Sequence, residues 1–240
     1  MNPYLELQSR ALACNLRLPA SGLVTGTFGN ASAFDRQRGV FAIKPSGVPF
    51  SDLKAEDLPV LDLTGKVVYG GLRPSSDMPT HALLYEAWPD IGGVVHTHSP
   101  YAVAWAQAMR PIPVFGTTHA DHCDGDIPCT APMADDRIAG NYEVETGRQI
   151  LDTLAGVSHL DVTMVHVACH GPFTWGTTPE KAVDNSIALE LIAQMALHTL
   201  QIAPQTPRLK ESLLKKHFER KHGPDAYYGQ ASSTSKDPSR

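Results

Sequence analysis

Three histidines stand where a metal ion could be held. His96-Thr97-His98 closes the run Gly92-Gly-Val-Val, which reads as a strand. Side chains two apart on a strand share a face, so both rings can converge on one ion where the strand reaches solvent. Ser99-Pro100 supplies that exit as a helix start. His170 ends a second strand-like run, Val162–Ala168, just before Gly171-Pro172. As a third imidazole it would complete the open three-ligand set of a catalytic zinc site. Taken alone, His96 and His98 also fit a pair of surface histidines on an edge strand. Of eleven histidines, eight fall between His81 and His170, and that clustering is the clue to chemistry.

Two turns could hold an anion. Lys44-Pro45-Ser46-Gly47 concentrates a cation, a hydroxyl and a glycine amide at the end of a strand. An ordinary Pro-Ser-Gly turn reads the same way. Pro74-Ser75-Ser76-Asp77 offers hydroxyls and a carboxylate before a helix, either for capping or for a phosphate at the positive end of the dipole. Thr117-Thr-His-Ala-Asp-His122 is a crowded polar loop, and Lys216–His222 is a basic helical stretch that suits a solvated face.

The elements that must place these residues alternate between helix and strand. A helix opening at Pro3 carries Leu5, Leu12 and Leu16 on its apolar face and ends before Pro19. Gly39–Lys44 reads as a buried strand, and 59–63 with 67–69 as a hairpin. Helices are expected over Thr80–Trp88, after Ser99, over Asp135–Leu154 with a break near Gly140, from Thr178 to about Leu200, and over Arg208–Lys221. The pattern predicts one mixed α/β unit with helices covering a sheet.

Composition narrows the classes. The 240 residues carry 20 Lys+Arg against 25 Asp+Glu, a net charge of −5, which argues against nucleic acid as a partner. No apolar run has the length of a membrane span, and Met1–Glu6 lacks a signal peptide's basic, apolar start, so a cytoplasmic protein is expected. Cys14, Cys123, Cys129 and Cys169 form no CxxC pair, and Cys129 and Cys169 read as small buried residues.

His96-Thr-His98, His170-Gly-Pro-Phe173, Gly29-Asn30, Lys44-Pro-Ser-Gly47 and Pro74-Ser-Ser-Asp77, in this order, resemble the class II aldolase/adducin family. Thr117-Thr-His-Ala-Asp121 and Ala226-Tyr-Tyr-Gly-Gln230 resemble its epimerase branch, and the likeness runs from about Tyr4 to Gln230. The resemblance implies a three-layer α/β/α sandwich around a mixed, mostly antiparallel sheet. It implies one catalytic domain over 1–230, a disordered tail over 231–240, and a homotetramer with active sites at subunit interfaces. It further implies Zn2+, with Mn2+ or Co2+ as alternatives, on His96, His98 and His170, with Asp77 at or beside the ion. Asn30, Lys44, Ser46, Gly47, Ser75 and Ser76 match phosphate-holding positions. Asp121 and Tyr228 match an acid/base pair, Tyr228 reaching in from a neighbouring subunit. Thr117, Glu143, His217 and Arg220 match lesser substrate positions.

The implied reaction interconverts L-ribulose 5-phosphate and D-xylulose 5-phosphate, in L-arabinose catabolism. C4 bears no acidic hydrogen, so inversion there requires retro-aldol cleavage of C3–C4, rotation of the aldehyde and re-addition. A sugar-phosphate aldolase of the same family and a paralogous epimerase of ascorbate or gulonate breakdown are the alternatives. The aldolases commonly carry Glu at the Asp77 position and lack the Asp121 and Tyr-Tyr-Gly-Gln pairing. The chain departs from the family pattern at His122-Cys123-Asp124-Gly125, where an aromatic run is expected, and His122 reads as a surface replacement.

Overall fold

The computed structural model describes residues 2–224 and residue 226. Its strands are β1 (Asn30–Asp35), β2 (Val40–Ile43), β3 (Val60–Asp62), β4 (Val67–Tyr69), β5 (Gly93–His96), β6 (Met164–Val167) and β7 (Gly171–Gly176). They form one sheet in the order β4-β3-β2-β1-β5-β7-β6. Every ladder between these strands is antiparallel, and the parallel component is the single bridge between Cys129 and His166. The helices are α1 (Leu5–Ala20), α2 (Met78–Ala87), α3 (Pro100–Gln107), α4 (Thr117–Ala120), α5 (Asp135–Ile138), α6 (Tyr142–Thr153), α7 (Pro179–Ile202) and α8 (Glu211–His222).

The period of two along each strand builds the layers. In β2, Val40 and Ala42 pack with α1 residues Leu7, Ala11, Cys14 and Leu18, while Phe41 and Ile43 pack with Leu84 and Tyr85 of α2 and Ile150 of α6. Ala102 of α3 and Leu189, Ile192 and Ala193 of α7 cover Met164 of β6. Helices thus cover both faces of the sheet, as the sandwich requires.

The expected apolar stripe on α1 is corrected. Leu5 and Leu16 are exposed, and the buried face runs through Leu7, Ala11, Cys14 and Leu18, which fit the 3.6-residue period better. The helix also passes through Pro19, because a proline in the final turn removes only one intrahelical bond. Two inner strands are masked in the sequence. Asn-Ala-Ser-Ala in β1 lacks β-branched residues, and Gly171-Pro172 in β7 looks like a turn. At Gly171 an added Cβ would come within 2.9 Å of the Thr97 carbonyl oxygen, so the close approach of β7 to the end of β5 demands glycine. Cys169 is exposed and Cys129 half-buried, so neither is the buried residue expected. The expected tail at 231–240 lies outside the described residues.

His166, on edge strand β6, is fully buried, with no hydrogen-bond partner for either ring nitrogen among the described residues. Burial pushes its pKa down to about 3, below the ordinary histidine value, so the folded protein keeps it neutral. The unfolded chain takes up that proton first. Its contribution to stability is therefore present above about pH 6.5 and is lost as the pH falls through the window down to about 3. Melting curves in chelator should show the wild type losing stability between pH 7 and 5, and His166→Leu losing measurably less.

Candidate metal centre

The ends of β5 and β7 bring the histidines together. His96 lies opposite Phe173 in the β5–β7 ladder and opposite Asn30 in the β1–β5 ladder. The Pro172 carbonyl accepts from His96 Nδ1 at 2.9 Å, and the Phe173 ring stacks on the imidazole at 4.3 Å. With its proton on Nδ1, His96 turns the Nε2 lone pair toward the other two rings. His98 lies beyond the end of β5, yet its Nε2 comes within 3.0 Å of His96 Nε2. Ligand nitrogens of His96, His98 and His170 all lie within 4.8 Å of one another. Nitrogens bound tetrahedrally to zinc sit about 3.4 Å apart, so small ring rotations suffice for one ion.

Protonation state agrees with that use. Burial first, and then the neighbouring His96, push His170 down to about 4 and hold His98 below its ordinary value, leaving both imidazoles neutral near pH 7. Neutral imidazole is the ligating form. The three residues therefore fit a divalent ion in donor type and number. Asp77 stands beside this trio rather than within it. Its Oδ2 accepts from Asn30 Nδ2 at 2.6 Å and from Ser75 Oγ at 3.4 Å. Burial raises its pKa, but His96, His81 and the Asn30 amide outweigh that and hold the carboxyl below its ordinary range.

The two anion-holding turns are zipped side by side. Pro45 bridges Pro74, Ser46 N donates to the Arg73 carbonyl, and Ser75 N donates to the Lys44 carbonyl. Gly29, with φ +84°, lets the chain pass within contact distance of the His96 carbonyl before Asn30 enters β1. The result is one cavity of about 320 Å³ lined by Asn30, Lys44, Ser46, Gly47, Ser75, Ser76, Asp77 and the three histidines. Lys44 is only 1% exposed. Its Nζ reaches the carbonyls of Thr27 and Pro45 at 3.3 and 3.4 Å and the face of Phe50, with no carboxylate among its described partners. Burial lowers its pKa. An incompletely compensated buried ammonium, flanked by serines, is built for an anion.

The remaining expected residues lie elsewhere. Asp121, at the C-terminal end of α4, accepts two bonds from Arg220 Nη2 at 2.9 and 2.8 Å and pairs with His217 Nδ1 at 3.0 Å. Its backbone N–H donates to the Thr117 carbonyl. Burial raises the Asp121 pKa, but Arg220, His217 and Lys221 outweigh it and hold the carboxyl low. Asp121, Thr117, His217 and Arg220 do not line the histidine cavity. Glu143 contributes its carbonyl, which accepts from Thr80 Oγ1 at 2.6 Å, and its side chain does not line the cavity either. Tyr228 lies outside the described residues. His122 is half-buried, not a plain surface residue, and burial followed by nearby Lys221 and Lys181 pushes it down to about 4.

Residues 9–197 match the Class II Aldolase and Adducin N-terminal domain. The chain belongs to that family. Over 225 residues it is 49% identical to a protein of Salmonella paratyphi C (strain RKS4594) named L-ribulose-5-phosphate 4-epimerase UlaF, covering 94% of this chain and 99% of that one. The fold is shared with a solved L-fuculose 1-phosphate aldolase at 23% identity and a TM-score of 0.76, over 90% of this chain and 95% of that one. The L-fuculose 1-phosphate aldolase of Glaciozyma antarctica PI12 shares it at 22% identity and a TM-score of 0.74, over 90% and 81%. Two residues beside the histidines carried no signal in the sequence. Tyr142 places its hydroxyl 3.3 Å from His170 Nδ1, and the exposed Phe28 stacks on His98 with centroids 5.9 Å apart. Each is a lone aromatic in a loop or at a helix start, with no spacing to tie it to a histidine.

Removing one ligand leaves two imidazoles, too few to hold a divalent ion tightly. His96→Asn is expected to emerge from dialysis without stoichiometric metal, as measured by atomic emission, while the wild type retains it. Full retention in the variant would refute the ligand assignment.

Proposed function

We propose that this chain is a metal-dependent epimerase that interconverts L-ribulose 5-phosphate and D-xylulose 5-phosphate. One observation carries the reading: the three-histidine cluster and the buried Lys44 open into the same cavity. A substrate there would have its phosphate and its reacting oxygens engaged at once. The 49% identical relative named for this activity supports the same reading.

Zinc, with manganese or cobalt as alternatives, would be held by His96, His98 and His170 beside Asp77, and when bound it supplies Lewis-acid stabilisation of negative charge on substrate oxygens. Lys44, Asn30, Ser46, Gly47, Ser75 and Ser76 hold the phosphate. The C4 hydroxyl loses its proton, C3–C4 breaks, and the bonding pair moves into an enediolate spanning C2 and C3. The departing fragment is glycolaldehyde phosphate, so the phosphate grip keeps it in place while it turns. Re-addition to the opposite face restores C3–C4 with C4 inverted and returns the proton. One acid/base group is needed on each face of the aldehyde, a role given to Asp121 and Tyr228.

Asp121 lies outside the cavity within its own chain. A homotetramer with sites between subunits would bring the acid/base groups and the cavity together, Tyr228 arriving from a neighbour. Residues 1–230 would then act as one catalytic domain in a cytoplasmic enzyme. Among the described residues no helix is long and apolar enough to cross a membrane.

Zinc-loaded protein given L-ribulose 5-phosphate should form D-xylulose 5-phosphate without free glycolaldehyde phosphate. Release of glycolaldehyde phosphate and dihydroxyacetone as the sole products would replace the epimerase with an aldolase. Asp121→Asn and Tyr228→Phe should each keep stoichiometric zinc yet slow epimerisation by roughly 10²- to 10⁴-fold, the usual range for an acid/base group. Wild-type turnover in either variant would remove that residue from the mechanism.

A further inference from the structure

We propose that Tyr142 is a positioning residue for the metal centre: its hydroxyl holds His170 by Nδ1 and so presents Nε2 to the ion. The inference rests on the metal reading above and extends it to a residue on α6. Of the three clustered histidines, His96 is oriented by the Pro172 carbonyl and His98 is backed by the Phe28 ring. The His170 ring has the Tyr142 hydroxyl, at 3.3 Å from Nδ1, as its hydrogen-bond partner among the described residues. His170 follows Cys169, a non-glycine residue at φ +61°, so the backbone enters it from a left-handed turn and not from a strand. Local backbone regularity therefore does little to aim this ring, and an outside contact is needed.

Tyr142 is well placed to supply it because its own position is over-determined. It is the first residue of α6, with Asn141 as the N-cap accepting from Val144 N. Thr146 Oγ1 donates to the Tyr142 carbonyl at 2.9 Å, and Thr80 Oγ1 of α2 donates to the Glu143 carbonyl at 2.6 Å. The same α2 has Asp77 as its N-cap residue. The start of α6 is thus tied to the helix that delivers the site's carboxylate, and the tie ends on a metal ligand. A hydroxyl accepting from Nδ1–H selects the tautomer with its lone pair on Nε2, the arrangement in which such partners raise ligand basicity.

Tyr142→Phe removes the oxygen and keeps the ring. The full-length variant should bind Zn2+ roughly 10- to 100-fold more weakly than the wild type in competition with a chromophoric chelator. The metal-free melting temperature should stay unchanged, which a merely structural role would not give. Imidazole ¹H–¹⁵N spectra of the metal-free protein should show His170 as a single Nδ1–H tautomer in the wild type and as a tautomer mixture in the variant. Equal zinc affinity, or an unaltered His170 tautomer, overturns the role of Tyr142 while leaving the metal reading intact. A wild type that binds no zinc overturns the metal reading itself, so the two failures are told apart.

Discussion

The Pro172 carbonyl is the constraint on which the centre depends. It accepts from Thr97 N and from His96 Nδ1, so a single oxygen fixes both the end of β5 and the tautomer of its last residue. Proline serves here because β7 needs acceptors at this point and no donor of its own. Gly171 allows the two strand ends to close to this distance, and Phe173 then lies flat against the His96 ring. His98 and His170 follow from the same junction, one lying two residues past the end of β5 and the other immediately before the entry to β7. The sheet order sets this up: β5 and β7 are adjacent, although far apart in sequence.

Charge is arranged to keep the cavity receptive. Asp77 and Lys44 line the same space, yet they do not form an ion pair with each other: Asn30 takes the carboxylate, and Lys44 rests on carbonyl oxygens and an aromatic face. Neutralising each other would leave a stable but closed ion pair. Separated, they leave positive charge for an anion at one end and a carboxylate beside the imidazoles at the other. Asn30 Oδ1 is itself buried without a partner among the described residues. Carrying an unsatisfied acceptor and an incompletely compensated ammonium costs folding free energy. That cost is what a cavity built for a polar ligand looks like before the ligand arrives.

Much of this was legible in the residues. The His-x-His spacing and the Lys-Pro-Ser-Gly and Pro-Ser-Ser-Asp turns are local patterns, and they recur in the structure where the pattern places them. β1 and β7 were illegible for a physical reason. β1 is a central strand that opens with Asn, Ala and Ser where a strand is usually recognised by Val, Ile or aromatic residues, and the Phe-Thr-Trp run of β7 is hidden behind Gly171-Pro172, which reads as a turn. Tyr142 was illegible for another: its contact with His170 depends on how α6 docks on α2, a tertiary fact with no spacing in sequence. The position of Asp121 also needed the fold, since nothing in the chain ties residue 121 to residues 217 and 220.

That last cluster constrains how the proposed chemistry could work. Arg220, His217 and Lys221 surround the Asp121 carboxylate, and His222 Nε2 meets its backbone carbonyl at 3.0 Å. A carboxylate so compensated stays ionised and is a weak base, whereas an acid/base group works best with its pKa near the working pH. The same contacts pin α8 to α4, and α8 ends at His222, shortly before Tyr228 in the chain. The ion pairs therefore do two things at once. They hold the Asp121 side chain in one orientation, and they fix the C-terminal end of α8. On the proposed mechanism a substrate or neighbouring chain that redistributes the Arg220 contacts would raise the basicity of Asp121 just as it engages.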